Sequence, residues 1–110
     1  MSIFYPFFNL RNLSYLIILK EIDGSLKSMK EIVGGTIQAL YPFEEPVALI
    51  CNDEGKLLGL PLNRALRDEE GRIYDIVAGT FFLCGAPEGS DRFESLQKEQ
   101  ILRYLQAYRF

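Results

Sequence analysis

Asn63, Arg64 and Arg67, with Asp75 farther along, are the residues whose types and spacing come nearest to a binding chemistry. If the segment from Leu62 to Asp68 is helical, the two arginines share a face, where a pair of guanidiniums could hold a phosphate or a carboxylate. The ordinary use of such arginines is pairing with neighbouring acids, here Asp68, Glu69 or Asp75. A second candidate group is acidic. Residues 20–55 carry three lysines against seven acids, with Glu44-Glu45 and Asp53-Glu54 at expected turns. An acidic surface can meet a basic partner or imitate nucleic acid. A solvated face that aids solubility has the same composition. Adjacent carboxylates diverge on most backbones, so neither these pairs nor Glu69-Glu70 supplies the converging pair that general acid–base catalysis needs.

The composition excludes several chemistries. There is no histidine among the 110 residues, which removes imidazole bases, Ser-His-Asp and Cys-His catalysis, and His-ligated metals. Cys51 and Cys84 lie in apolar runs without a flanking Lys, Arg or second Cys, so they read as buried free thiols rather than nucleophiles. No glycine-rich phosphate loop is present, and Gly34-Gly35 precedes a strand rather than a helix. A net charge of −3 and a pI near 4.9 argue against a basic patch for nucleic acid. The expectation is a protein that is not an enzyme and uses no cofactor or metal.

The elements that position these residues follow from the pattern. Leu, Ile, Val and Phe make up 37 of the 110 residues, enough for one domain with a modest core. Tyr15–Ile22 reads as a buried strand. Asp23 or Ser25 caps a helix bearing Leu26, Met29, Ile32 and Val33, and Gly34-Gly35 stops it. Thr36–Tyr41 and Val47–Cys51 read as strands around a Pro42–Pro46 turn. Asn52–Gly55 reads as a tight hairpin turn with Gly55 left-handed, and Lys56–Leu60 as the returning strand. Leu62–Asp68 is ambiguous: Asn63 could cap one or two helical turns, or the segment is an extended loop. Arg72–Val77 and Thr80–Cys84 read as two short strands around Ala78-Gly79, or as one strand with a bulge at Gly79. Asp91 and Glu94 form a capping box for a C-terminal helix with Leu96, Ile101, Leu102, Leu105 and Tyr108 on its apolar face. The fold class is α+β, a mostly antiparallel sheet of about five strands with two packing helices.

Residues 1–14 form a divergent aromatic segment, and residues 15–110 a single domain. Phe4, Tyr5, Phe7 and Phe8 would be costly to leave in water, so they cover a core edge or form a self-association surface for a homo-oligomer. Asn12-Leu13-Ser14 matches a glycosylation sequon, a weak pattern. Met1–Leu19 lacks the features of a secretory signal and is too short and polar to span a membrane. The expected location is the cytoplasm.

Several separated motifs carry a family resemblance. They are Glu21-Ile22-Asp23, the Ile32–Gly35 helix stop, Tyr41-Pro42-Phe43-Glu44, Cys51–Lys56, Gly59–Arg64 and Tyr74–Phe81. From Lys20 to about Leu96, roughly 70% of the chain, the sequence resembles the DUF3846 family, small proteins of phages, plasmids and conjugative elements of gut bacteria. Residues 1–14 depart from the short strand that opens such proteins. The resemblance implies an origin on a mobile element in a bacterial host and supplies no activity. In that company the leading expectation is a non-enzymatic binding protein. It would inhibit a host defence system, of the anti-CRISPR or anti-restriction type, by protein–protein contact. Two other readings stay open. One is a small-ligand or nucleotide-binding module, a sequestering protein or minimal enzyme, using Asn63, Arg64 and Asp75; the other is a structural or accessory subunit.

Overall fold

The computed structural model describes the backbone of residues 1–9 and 14–107, and of these every side chain except those of residues 4–9, 14–18, 105 and 107. In chain order the elements are β1 (Ser2–Asn9), β2 (Ser14–Glu21), α1 (Leu26–Val33), β3 (Ile37–Leu40), β4 (Val47–Asn52), β5 (Leu62–Arg67), β6 (Ile73–Ala78), β7 (Phe82–Gly85) and α2 (Lys98–Ala107). All described strand pairings are antiparallel, and with two helices this is an α+β fold. One sheet has the order β2-β1-β7-β4-β3, while β5 and β6 form a separate hairpin. In place of the single sheet of about five strands, seven described strands divide between two sheets.

The apolar run of β4 explains the layering. All six of its residues are buried, as a strand covered on both faces requires. Side chains alternate across the sheet. Ala48 and Ile50 therefore pack with Ile3, Met29, Val33, Phe82 and Cys84 under α1. Val47, Leu49 and Cys51 pack on the opposite face with Leu66, Val77, Phe81, Leu83, Leu96 and Tyr104, beneath the β5–β6 hairpin and α2.

Helix α1 has the caps its sequence announces. The Ser25 hydroxyl accepts the Ser28 N–H at 3.1 Å, and Gly34, at a φ of 79°, closes the last turn by donating to Lys30. Buried Asn52 ties this helix to β4. Its Nδ2 donates to the Val33 carbonyl at 3.2 Å, and its Oδ1 accepts the Glu54 N–H at 2.8 Å.

Two expectations are overturned. The first is the hairpin at Asn52–Gly55 with a returning strand over Lys56–Leu60. Residues 53–59 instead wind through successive turns, with Leu58 N–H donating to Glu54 and Leu60 N–H to Gly55. Gly59, at a φ of 69°, takes the left-handed position expected of Gly55. The chain makes this detour to cross from β4 to the hairpin layered over it, so Leu57 and Leu58 have no core to enter.

The second is the capping box at Asp91. Gly85 and Glu94 form an isolated antiparallel bridge, exchanging two 2.8 Å hydrogen bonds, and the helix waits until Lys98. There Gln100 Oε1 accepts the Gln97 N–H at 2.9 Å, one half of a capping box placed six residues later. The open segment Leu62–Asp68 becomes neither helical turns nor a loop, since residues 62–67 are β5.

Strand β1 lies between β2 and β7, and Ile3 is buried in the core. The N-terminal segment thus contributes a strand to the main sheet. The side chains of Phe4, Tyr5, Phe7 and Phe8 lie outside the described residues, as do Asn12 and Tyr108. Among the described residues no helix is long and apolar enough to cross a membrane.

Candidate functional site

The loop of residues 41–46 between β3 and β4 is held from below by α2. Phe43 and Tyr104 stack in a tilted pair, ring centres 5.0 Å apart at 59°. Glu45 accepts a hydrogen bond from the Tyr104 hydroxyl and pairs with Arg103 at 2.7 Å. These donors, Tyr104 first, hold the Glu45 carboxyl below its ordinary value of 4.5.

A carboxyl with a lowered folded pKa stabilises the fold above its ordinary value, and that contribution fades as pH falls through the lowered one. The native protein should therefore lose thermal stability below about pH 4.5 more steeply than Tyr104→Phe, which already lacks the donor. Melting temperatures at about pH 6 and pH 3 check this; parallel losses in both proteins would refute it.

The tip of the β5–β6 hairpin is closed on itself. Asp68 Oδ1 accepts the N–H groups of Glu70 and Arg72, both at 2.9 Å. Arg67 donates to the Gly71 carbonyl at 2.8 Å, and Arg72 pairs with Glu70 at 2.9 Å. Gly71, at a φ of 81°, makes this turn feasible.

The expected guanidinium pair does not form. In the strand register Arg64 opposes Val77 and Leu66 opposes Asp75. That places Arg64 and Asp75 on the inner face with buried Leu66 and Val77, while Arg67, beyond a bulge, is exposed. Asp75 accepts from Lys56 and from the Ile76 N–H, and these bonds, Lys56 foremost, lower its pKa. Asn63 donates to the Gly79 carbonyl at 3.0 Å, holding β5 to the turn before β7.

The acids separate as well. Glu44 and Glu45 precede β4, whereas Asp53 and Glu54 follow it, so the length of the strand stands between the two pairs. Glu44, Asp53 and Glu54 are exposed, and Glu45 is committed to α2. Tyr104, which organises that loop, carries no signal in the sequence beyond its helical position.

The thiols are chemically quiet. Cys51 faces the hairpin layer and Cys84 faces α1, so the sheet lies between them. Burial pushes Cys84 up to about 12 and raises Cys51, whose neighbours Asp75 and Asp53 add to the shift. Among the described residues no three Cys, Asp or Glu side chains gather as a metal-binding group.

Two surfaces remain as functional candidates. The first is a cleft of about 760 Å³ between the 41–44 loop and the hairpin tip, with Tyr41, Glu44, Arg67, Glu69 and Tyr74 among its walls. The second is apolar. Leu57, Leu58, Leu62, Ile73 and Tyr74 are all more than half exposed, Leu57 at 89%.

A small α+β domain with a hairpin layered over its main sheet, an open acidic-aromatic cleft and, among the described residues, two buried thiols of raised pKa is what the fold and site define. The chain belongs to the DUF3846 family, a domain of unknown function, whose family model matches residues 14–109. That range begins at the first residue of β2, so β1 stands outside it. No curated protein and no solved structure matches the chain.

Proposed function

We propose that this is a non-enzymatic binding protein acting through protein–protein contact, with its partner seated on the β5–β6 hairpin and the turn that precedes it. The observation that carries the reading is that five of the nine exposed large apolar side chains among the described residues, Leu57, Leu58, Leu62, Ile73 and Tyr74, belong to this hairpin and the turn before it. An element that exposes this much apolar side chain while anchored to the core by Leu66 and Val77 offers a partner a surface to cover. The absence of histidine and the raised thiol pKa values support a binding role over catalysis. The narrower reading is an inhibitor of a host defence system, of the anti-CRISPR or anti-restriction type, carried by a phage or other mobile element. It draws its support from the family's genomic company and uses the same surface.

The test is affinity purification from host-cell lysate with the native chain and with Leu57→Ser/Leu58→Ser/Leu62→Ser. These side chains are exposed, so the variant should keep its melting temperature within a few degrees. Recovery of a saturable partner should fall at least about tenfold, as expected when an apolar contact centre is lost. Equal recovery by the two proteins would overturn the proposal.

A further inference from the structure

We infer that the cleft between the 41–44 loop and the hairpin tip receives an extended, arginine- or lysine-bearing segment of a protein partner. This deepens the contact reading above and rests on it. Tyr41 and Tyr74 both line the cleft and are 63% and 57% exposed. Exposed tyrosine rings offer their faces to a cation, most effectively to a guanidinium.

The charge on the walls selects the same occupant. Glu44, Asp68, Glu69 and Glu70 outnumber Arg67 and Arg72, leaving the lining at −2. Both cations are already engaged, Arg72 by Glu70 and Arg67 by the Gly71 carbonyl. Glu44 and Glu69 make no hydrogen bond or ion pair among the described residues. An arriving cation thus meets two available carboxylates and two ring faces, whereas an anion meets net repulsion and occupied arginines.

Both walls are set before binding. Tyr104 and Arg103 fix the 41–46 loop, and the Asp68 turn fixes the tip. Pre-organised walls spare the ordering cost of association. A volume of about 760 Å³ has room for a few side chains of a peptide.

The experiment titrates the ¹⁵N-labelled full chain with the amidated peptide Gly-Arg-Gly-Arg-Gly-Arg-Gly and, separately, with its glutamate counterpart. The arginine peptide should shift the amides of residues 41–44 and 67–74 saturably, and the glutamate peptide should not. Tyr74→Ala should weaken binding about 3- to 5-fold. Glu44→Gln/Glu69→Gln should weaken it about 3-fold at low salt, an effect that vanishes near 0.5 M salt. Shifts located elsewhere, an equal response to the glutamate peptide, or an unaltered affinity in Tyr74→Ala would overturn the inference. The Leu57/Leu58/Leu62 triple-serine variant separates the two claims. A lost peptide response with retained Leu-dependent capture removes only the cleft assignment, and Leu-independent capture removes the contact reading itself.

Discussion

Phe82→Ala is expected to cost about 4 kcal/mol, a large part of the ~5–15 kcal/mol that holds a domain of this size together. Phe82 is fully buried on the α1 face of the sheet, among Ile3, Met29, Val33 and Ile50. Truncation leaves a cavity that a strand hydrogen-bonded on both sides cannot collapse to fill. The neighbouring Phe81 is equally buried on the opposite face, against Leu49, Leu66 and Val77. Its replacement by alanine should cost a similar amount, about 3–5 kcal/mol. The two rings enter opposite core clusters, so removing both strips each face of the sheet of a large side chain. The double variant should then have little or no cooperative unfolding transition. Urea denaturation of both single variants checks the claim, and a loss below about 1.5 kcal/mol in either would refute it.

Gly55→Ala is expected to be nearly as damaging, although it adds one methyl group. An added Cβ at Gly55 would stand 2.6 Å from the Ala78 carbonyl oxygen, a distance that no side-chain adjustment relieves. The backbone of the 53–59 turn or of β6 must move, at a cost of about 3 kcal/mol. For a domain of this size that corresponds to a fall of roughly 12 °C in melting temperature. Gly59 provides the contrast. It has open space around it and a positive φ, so Gly59→Ala should lose only about 1–2 kcal/mol through backbone strain. An equal effect at the two glycines, or a smaller one at Gly55, would show that the turn yields where β6 does not.

What the sequence makes legible here is whatever is decided by neighbours along the chain. The span of α1 with its stop at Gly34 and the apolar run of β4 follow from local chemistry, while the choice of Ser25 over Asp23 as cap and of a break over a bulge at Gly79 falls to the structure. The family resemblance over residues 20–96 agrees with the matched range of 14–109. The misread segments are those whose state depends on distant partners. Lys56–Leu60 looks like a strand, but it crosses between layers and leaves Leu57 and Leu58 in solvent. Two register breaks blur the alternation of Leu62–Arg67. Asp91 and Glu94 have the spacing of a cap, yet the backbone of Glu94 is taken by Gly85. The cleft was hidden for the same reason. Its walls come from residues 41–44 and 67–74, and the side chain that steadies the first wall, Tyr104, stands 59 positions from Glu45.

The position of β7 also governs the order in which the chain can assemble. The pairs β1–β2, β3–β4 and β5–β6 each join strands that follow one another in sequence, and short hairpins of this kind close within microseconds. β7 alone connects the first pair to the second, pairing Leu83 with both Phe4 and Leu49. The main sheet therefore exists as two unconnected halves until residues 82–85 arrive. On a ribosome, residues 82–85 must emerge before the halves can dock. The pairing of Phe4 with Leu83 is the farthest in sequence among the described strand pairs, the kind of contact whose loop closure slows folding.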